Sequence, residues 1–432
     1  MSTDDDRRAL AHWAASGAMA LTGRADGPPL GPPDGLVPGL QRMAAVGRQR
    51  SGQVGHELRL DPVVLLGERA AIGGLRRQGT TSCGGATRLL RATDGWLAVA
   101  LPRPEDRDLL PAWLGLDSPK GEDPWTAVAA EIGRRPAREV AERAWLLGLP
   151  VSELPDEPLA PRTAPTPLAS LPIRATPIPG RVPEPRPLAE LTVVDLSALW
   201  AGPLCGSLLA LAGARVVKVE STGRPDGSRG GPPEFFHLVN GGKQGVALDL
   251  DDQGWNVLRR LLARVDVVIE GSRPRALEQR GIVAAELVAA AQPRVWVSIT
   301  GHGRTGEAGN RVAYGDDAAV AGGLVVTDEA GPCFCADAVA DPIAGLAAAA
   351  ACLDALAVGG RWMLDVAMAG VAASLAGRTL VPEAGRDAGA PAGTRPPEAL
   401  EVAPPRSRPV TSRGPALGEH TAQVLADLGV ES

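Results

Sequence analysis

Residues 191–220 read LTVVDLSALWAGPLCGSLLALAGARVVKVE. Leu191 to Asp195 is a short apolar run rich in β-branched residues, the pattern of a buried strand. A Gly/Pro loop follows, then an apolar stretch of helical length through Leu211, then a second strand from Arg215 to Val219. Strand, helix and strand in this spacing describe a βαβ unit, whose strands are parallel and whose crossover is right-handed.

The alternation continues downstream. Val246–Leu250 and Val265–Ile269 read as further strands, with helical spacing over Gln253–Ala263 between them. Val295–Ile299 reads as another, ending in the loop Gly301-His-Gly-Arg-Thr-Gly306. The expected fold class is α/β: a doubly wound, Rossmann-like parallel sheet over 188–380, joined to a smaller α+β domain over 8–155. Residues 156–187 are dominated by Pro and small residues and read as an extended linker. A second loose stretch, 381–415, precedes a short final helix, Gly418–Leu428, within 416–432. Residues 14–70 and 321–376 also share an order: apolar segment, Gly/Pro turn, Gly-Leu and helix, Gly-rich turn, then a strand-like segment with an acid. Either a duplicated supersecondary unit or the shared Ala/Gly bias explains that likeness.

Composition narrows the function classes. The net charge of −6 supplies no basic field for nucleic acid. Five cysteines, with no Cys-x-x-Cys pair among them, suggest neither a disulfide framework nor a zinc site, and no metal is expected. Met1-Ser-Thr-Asp-Asp-Asp6 lacks the apolar stretch of a signal peptide. The Ala-rich run Ile343–Val358 is interrupted by Asp354 and is read as too short to span a bilayer. A cytoplasmic protein without membrane or nucleic-acid partners is the expectation.

Asp195-Leu-Ser-Ala-Leu-Trp-Ala-Gly-Pro-Leu-Cys-Gly206, followed by Ala212-Gly-Ala-Arg-Val-Val-Lys-Val-Glu220, resembles the opening of the family III CoA-transferases, which include formyl-CoA transferase, carnitine CoA-transferase and α-methylacyl-CoA racemase. The resemblance runs on through Arg273-Pro274, Pro293–Gly301, Asp341-Pro-Ile-Ala-Gly345, Asp365-Val-Ala-Met368 and Leu417–Leu425. Gly84–Ala100, Asp123-Pro-Trp125 and Ala144–Pro150 look like the family's later, smaller domain. Here that domain stands first. The resemblance implies an acyl-CoA:carboxylate CoA-transferase with acyl-CoA and carboxylic acid substrates. Coenzyme A is then a substrate, not a permanently bound cofactor, and an interlocked homodimer is implied if the linker spans the exchange.

Site residues follow from the same motifs. Asp341 matches the family's nucleophilic aspartate, and by itself also reads as a helix cap before Pro342. A carboxylate suits CoA exchange because it forms and breaks acyl bonds in both directions. Gly345 is read as leaving room for the thioester. In the N-terminal repeat Asp34 is one position out of register, so that copy is read as non-catalytic. Leu199, Trp200 and Ala201 match the segment that lies against CoA, and Gly202 and Pro203 continue that loop at the carboxyl edge of the sheet. With only Gly202 and Gly206 present, it is not a dinucleotide fingerprint. Arg273 reads either as a phosphate or adenine contact or as a solvated arginine. Gly301 permits close backbone approach, or simply a turn. Two alternatives stay open: an acyl-CoA racemase using Asp316 or Asp317 with another base, and an impaired CoA-binding subunit. The family's racemases place a His–Asp pair near Tyr314-Gly-Asp-Asp317, where this chain has no His; His302 lies in a different loop.

Overall fold

The computed structural model describes residues 4–116, 123–157, 168, 171–180, 183–290, 293–381 and 400–431. Its strands are β1 (Thr87–Arg91), β2 (Trp96–Ala100), β3 (Val151–Glu153), β4 (Arg174–Pro177), β5 (Thr192–Asp195), β6 (Arg215–Ser221), β7 (Gln244–Leu248), β8 (Val267–Glu270), β9 (Val295–Thr300), β10 (Val326–Asp328), β11 (Gly331–Cys333) and β12 (Trp362–Ala367). A seven-stranded sheet runs β4-β12-β9-β8-β5-β6-β7. Its strands are parallel except β4, which pairs antiparallel with β12. The order reverses between β5 and β8, which opens the crevice where doubly wound sheets take ligands.

The α/β architecture expected from 191–220 is therefore present, with the strand starts shifted by a residue or two. Two stretches read as loose are structural. Within 156–187, Arg174–Pro177 is the edge strand β4; an edge strand needs only one hydrogen-bonded side, so Pro is tolerated there. Much of the rest of that stretch lies outside the described residues. Within 381–415, residues 403–408 lie along the N-terminal region, where the Ala403 amide donates to the Ala14 carbonyl at 3.0 Å, and residues 412–415 pack on the helix Pro233–Asn240 and β7. Arg408 reaches the fully buried Glu68 at 2.5 and 3.0 Å. The final helix, Thr421–Asp427, covers the other sheet edge, where Thr421 Oγ1 accepts from the Ala247 amide of β7 at 3.0 Å.

The boundary expected near residue 155 does not describe the packing of the first eighty residues. Trp13, Met19, Leu36, Leu40 and Met43 share one buried core with Val193, Leu204, Leu208 and Ile343. The smaller unit is the antiparallel sheet β1-β2-β3 with its helices, whose core holds Leu97, Trp113, Val128, Val140 and Val151. Each of the two similar stretches contains a 19-residue helix, Leu36–Val54 and Ala340–Val358. They pack together around Gly47 and Ala350, and Arg50 reaches the buried Asp354 at 2.7 Å. Ala340–Val358 is long and apolar enough to cross a membrane, contrary to the reading of that run as too short, but 83% of its apolar window is buried inside the protein. All five cysteines are free and buried.

Because the core is shared, Leu40→Ala is expected to cost about 2–5 kcal/mol of unfolding free energy and to destabilise residues 188–380 together with the N-terminal helices. Chemical denaturation read by tryptophan fluorescence measures the cost. Hydrogen exchange confined to the N-terminal residues would contradict the shared core.

Candidate functional site

Asp341 lies in the first turn of the helix Ala340–Val358. Its position depends on glycines and alanines around it. Gly345, one turn on, is buried against the helix Ala201–Leu211, where a β-carbon would stand 2.6 Å from the Ala201 carbonyl oxygen. This closeness brings the Ala201 backbone amide to the Asp341 carboxylate as a hydrogen-bond donor. Gly345, expected to leave room for a thioester, packs against Ala201 and Leu204 of that helix. Gly315 lies against the carboxylate itself: a β-carbon there would be 2.3 Å from Asp341 Oδ2.

Other ionisable groups gather at this point. Asp316 Oδ1 accepts from the Ala338 amide at 3.1 Å, and Thr87 Oγ1 of β1 donates to its Oδ2 at 3.4 Å. Asp337 is fully buried and held by Arg69 through Nε at 2.9 Å and Nη2 at 2.5 Å. The Arg69 guanidinium also lies 5.5 Å from the centroid of the Trp200 ring. Burial pushes Asp341 up to about 7; Asp316 and Asp337 add to the rise, and Arg69 and the Ala201 amide oppose it. Burial, with the charge of Asp337, pushes Asp316 up to about 6. Burial drives Asp317 to about 8; it faces the Tyr314 amide at 2.7 Å and the Ser152 hydroxyl at 3.3 Å.

The backbone is strained around this cluster. Leu199, Ala336 and Ala338 have φ of 69°, 53° and 43°. A side-chain-bearing residue in this region costs on the order of 1–2 kcal/mol, and such outliers concentrate at functional sites.

The CoA candidates divide. Leu199 is 42% exposed, and Asp226 Oδ1 accepts from its amide at 3.0 Å. Trp200 is buried, edge-on to Phe235 at 5.3 Å, and its indole N–H has no partner among the described residues. Ala201, Gly202 and Pro203 form the first turn of a helix, where a loop was expected. Gly202 is buried, and a β-carbon there would fall 2.1 Å from Ser197 Oγ. Its side-chain face is therefore turned to protein. Arg273 is exposed just beyond β8 with no side-chain partner among the described residues, and Gly301 ends β9 packed on Ala313. Leu199, Arg273 and Gly301 thus follow three neighbouring strands, β5, β8 and β9, at their carboxyl ends.

Two buried lysines hold this edge. Lys243 Nζ meets Asp195 Oδ2 at 2.8 Å, the Pro203 carbonyl at 2.8 Å and Asn240 Oδ1 at 3.0 Å. Lys218 Nζ meets Asp226 Oδ2 at 2.7 Å and the Ser197 carbonyl at 3.0 Å. Burial pulls the Lys243 pKa down while Asp195 works against it. Glu220, which in sequence imitates a ribose ligand, is engaged by Arg229 at 2.5 Å and by the Asp226 amide at 2.9 Å. Burial drives His302 down to about 4. Among the described residues no group of three His, Cys, Asp or Glu is placed to hold a metal.

Sequence reasoning reached Asp341, Asp316, Leu199 and Trp200 but not Arg69, Thr87, Asp337 or Gly315. Arg69 sits in Glu68-Arg-Ala-Ala-Ile-Gly73, which reads as ordinary helix surface. Thr87 and Arg69 meet the site only through tertiary contact, across 229 and 268 residues respectively, whereas Asp337 stands just upstream of Asp341 in the same turn. Gly315 stands next to the Asp316-Asp317 pair, so close approach was a readable signal there.

Residues 188–406 match the family CoA-transferase family III. Succinyl-CoA–D-citramalate CoA-transferase of Chloroflexus aurantiacus is 34% identical over 148 residues, 32% of this chain and 37% of that protein. (R)-2-hydroxy-4-methylpentanoate CoA-transferase of Clostridioides difficile is 31% identical over 185 residues, 39% of this chain and 46% of that protein. The chain thus spans less than half the length of these curated relatives. A solved structure, a CAIB/BAIF family protein from Brucella suis, has a TM-score of 0.39 at 31% identity, covering 44% of this chain and 55% of its own.

Lys243→Met leaves Asp195 buried without its cation and is expected to cost about 3–5 kcal/mol. Adding Asp195→Leu should recover most of it, read by chemical denaturation. Gly315→Ala is expected to turn the Asp341 carboxylate away from the Ala201 amide, which a crystal structure of the variant would show directly.

Proposed function

Because the chain belongs to CoA-transferase family III, we propose that it moves coenzyme A from an acyl-CoA to a carboxylic acid with Asp341 as nucleophile. The observation that carries this is the placement of the Asp341 carboxylate. It sits in the first turn of one helix and accepts from the first amide of another, the helix that follows β5.

The ionised carboxylate attacks the thioester carbonyl, forming an acyl-aspartyl anhydride and releasing the CoA thiolate. The thiolate then attacks the aspartyl carbonyl, giving an aspartyl-CoA thioester and freeing the first acid. The acceptor carboxylate attacks that thioester, regenerating an anhydride and the thiolate. Attack of the thiolate on the acceptor's acyl carbonyl yields the new acyl-CoA and returns Asp341 unchanged. In each step an oxygen carries developing negative charge, which a fixed amide such as that of Ala201 stabilises without reorganising. The smaller sheet supports the wall that excludes water from the anhydride, through Thr87 on Asp316 and Ser152 on Asp317. Exposed Arg273 offers a guanidinium for the CoA phosphates. On the same reading, CoA enters as substrate, and the protein works as a cytoplasmic homodimer.

The racemase reading is not favoured. That reading takes Asp316 or Asp317 with another base, whereas the relatives named above are CoA-transferases. Both carboxyl groups are also engaged by the protein, Asp316 by Thr87 and the Ala338 amide and Asp317 by Ser152 and the Tyr314 amide.

Incubating the protein with a panel of acyl-CoA donors and carboxylic acids, with products identified by mass spectrometry, tests the proposal. Transfer is expected, together with a hydroxylamine-sensitive adduct at Asp341. Asp341→Asn should lower transfer on the order of a thousandfold or more while CoA still binds. CoA binding by the wild type with neither transfer nor adduct would instead identify an inert CoA-binding subunit. Since the nucleophile is the ionised form and Asp341 is pushed up to about 7, the transfer rate should rise with pH through that region. A rate flat between pH 5 and 8 would contradict the assignment.

A further inference from the structure

The turn that carries Asp341 is built largely by side chains from the other end of the chain. Ala336 and Ala338, both left-handed, flank Asp337. Thr22 Oγ1 accepts from the Ala336 amide at 3.0 Å, and the Cys83 thiol donates to the Ala336 carbonyl at 3.4 Å. Arg69 spans both oxygens of the buried Asp337. The short helix Glu68–Gly73 that presents Arg69 is itself pinned, because Glu68 is fully buried and receives Arg408 through its amide, Nε and Nη2. The charged groups that weigh most on Asp341 are Arg69, Asp316 from the helix Gly315–Ala321, and Asp337 from the turn. The helix Ala201–Leu211 contributes no charged side chain, only the Ala201 amide.

We propose that Arg69 is a positioning residue for Asp341: by clamping Asp337 it sets the turn that carries the nucleophile, and its charge offsets the carboxyl groups gathered there. The proposal rests on the transferase reading only in calling Asp341 the nucleophile. It gives the early segment a role in the site itself, since one cation faces three acids and that cation comes from the segment. Without it, Asp337 would stand as an unbalanced charge next to the reacting group.

The experiment uses the full chain and needs no substrate. The infrared carboxyl band that Asp341→Asn removes is followed against pH in the wild type, Arg69→Gln, Arg69→Lys and Asp337→Asn. Arg69 favours the ionised form of Asp341 and Asp337 disfavours it. Arg69→Gln should therefore move the midpoint up by about one pH unit or more, and Asp337→Asn should move it down. Arg69→Lys, which keeps the charge, should stay near the wild type. A merely structural ion pair predicts lower stability in these variants and no opposed shifts, so coincident midpoints, or shifts of the same sign, overturn the proposal. If Arg69→Gln does not fold, Arg69→Lys and Asp337→Asn decide it alone: an unmoved midpoint in Asp337→Asn sinks it. Absence of an acyl adduct in the wild type would sink the transferase reading and leave this titration standing.

Discussion

The helix Ala340–Val358 is buried along nearly its whole length, from Pro342 to Leu356. Neighbours press on it from several sides: Leu36–Val54, Ala201–Leu211, β9, β12 and the helix Met368–Ala373. A helix so enclosed must be narrow, because a large side chain would hold some neighbour away from it. That is why it reads Ala-Gly-Leu-Ala-Ala-Ala-Ala-Ala from Ala344 to Ala351, and why its apolar character reports a protein core and not a bilayer. Gly345 is the sharpest instance, since its missing β-carbon lets the Ala201 turn come close enough to reach Asp341.

That closeness makes the setting of the Asp341 carboxylate a joint product of two helix N-termini, and the charges around it come from further afield. Arg69 and Thr87 lie in the N-terminal region, while Asp316 and Asp337 lie upstream of Asp341 in its own half. The two parts of the chain therefore form one connected cluster, because the N-terminal helices enter the same hydrophobic core as the sheet. Residues 403–408 reinforce that connection by tying Glu68 and Ala14 to the C-terminal end.

The crevice side obeys a different constraint. Asp195 and Asp226 fix the loop from Ser197 to Leu199, and each is neutralised by a lysine with no exposed surface. A buried ion pair adds little net stability but is costly to break. What it supplies here is geometry: Lys243 ties the end of β5 to the Pro203 carbonyl, and Lys218 with Asp226 orients the strained Leu199. Gly202 and Gly206 are small because Ser197 and Lys243 occupy the space beside them, not because a pyrophosphate does.

The sequence by itself determined the parallel sheet, since β5, β6, β8 and β9 are short β-branched runs separated by helical spacing, and each such run must bury both faces. It also put Asp341 at a helix start, because Asp-Pro precedes an Ala-rich run, although the helix begins one residue earlier, at Ala340, and its cap is Val339 rather than Asp341. It carried the family likeness, which resides in local motifs. Tertiary structure alone decided that Arg174–Pro177 is a strand, because an edge strand made of Pro and polar residues has no local signature and exists only where β12 offers a partner. It alone decided the roles of Gly202, Gly315 and Gly345, since a glycine's sequence position does not say which atom fills the space its side chain lacks. And it alone joined Arg69 to Asp337, because the pairing of charges across 268 residues depends on how two halves of the chain pack into one core.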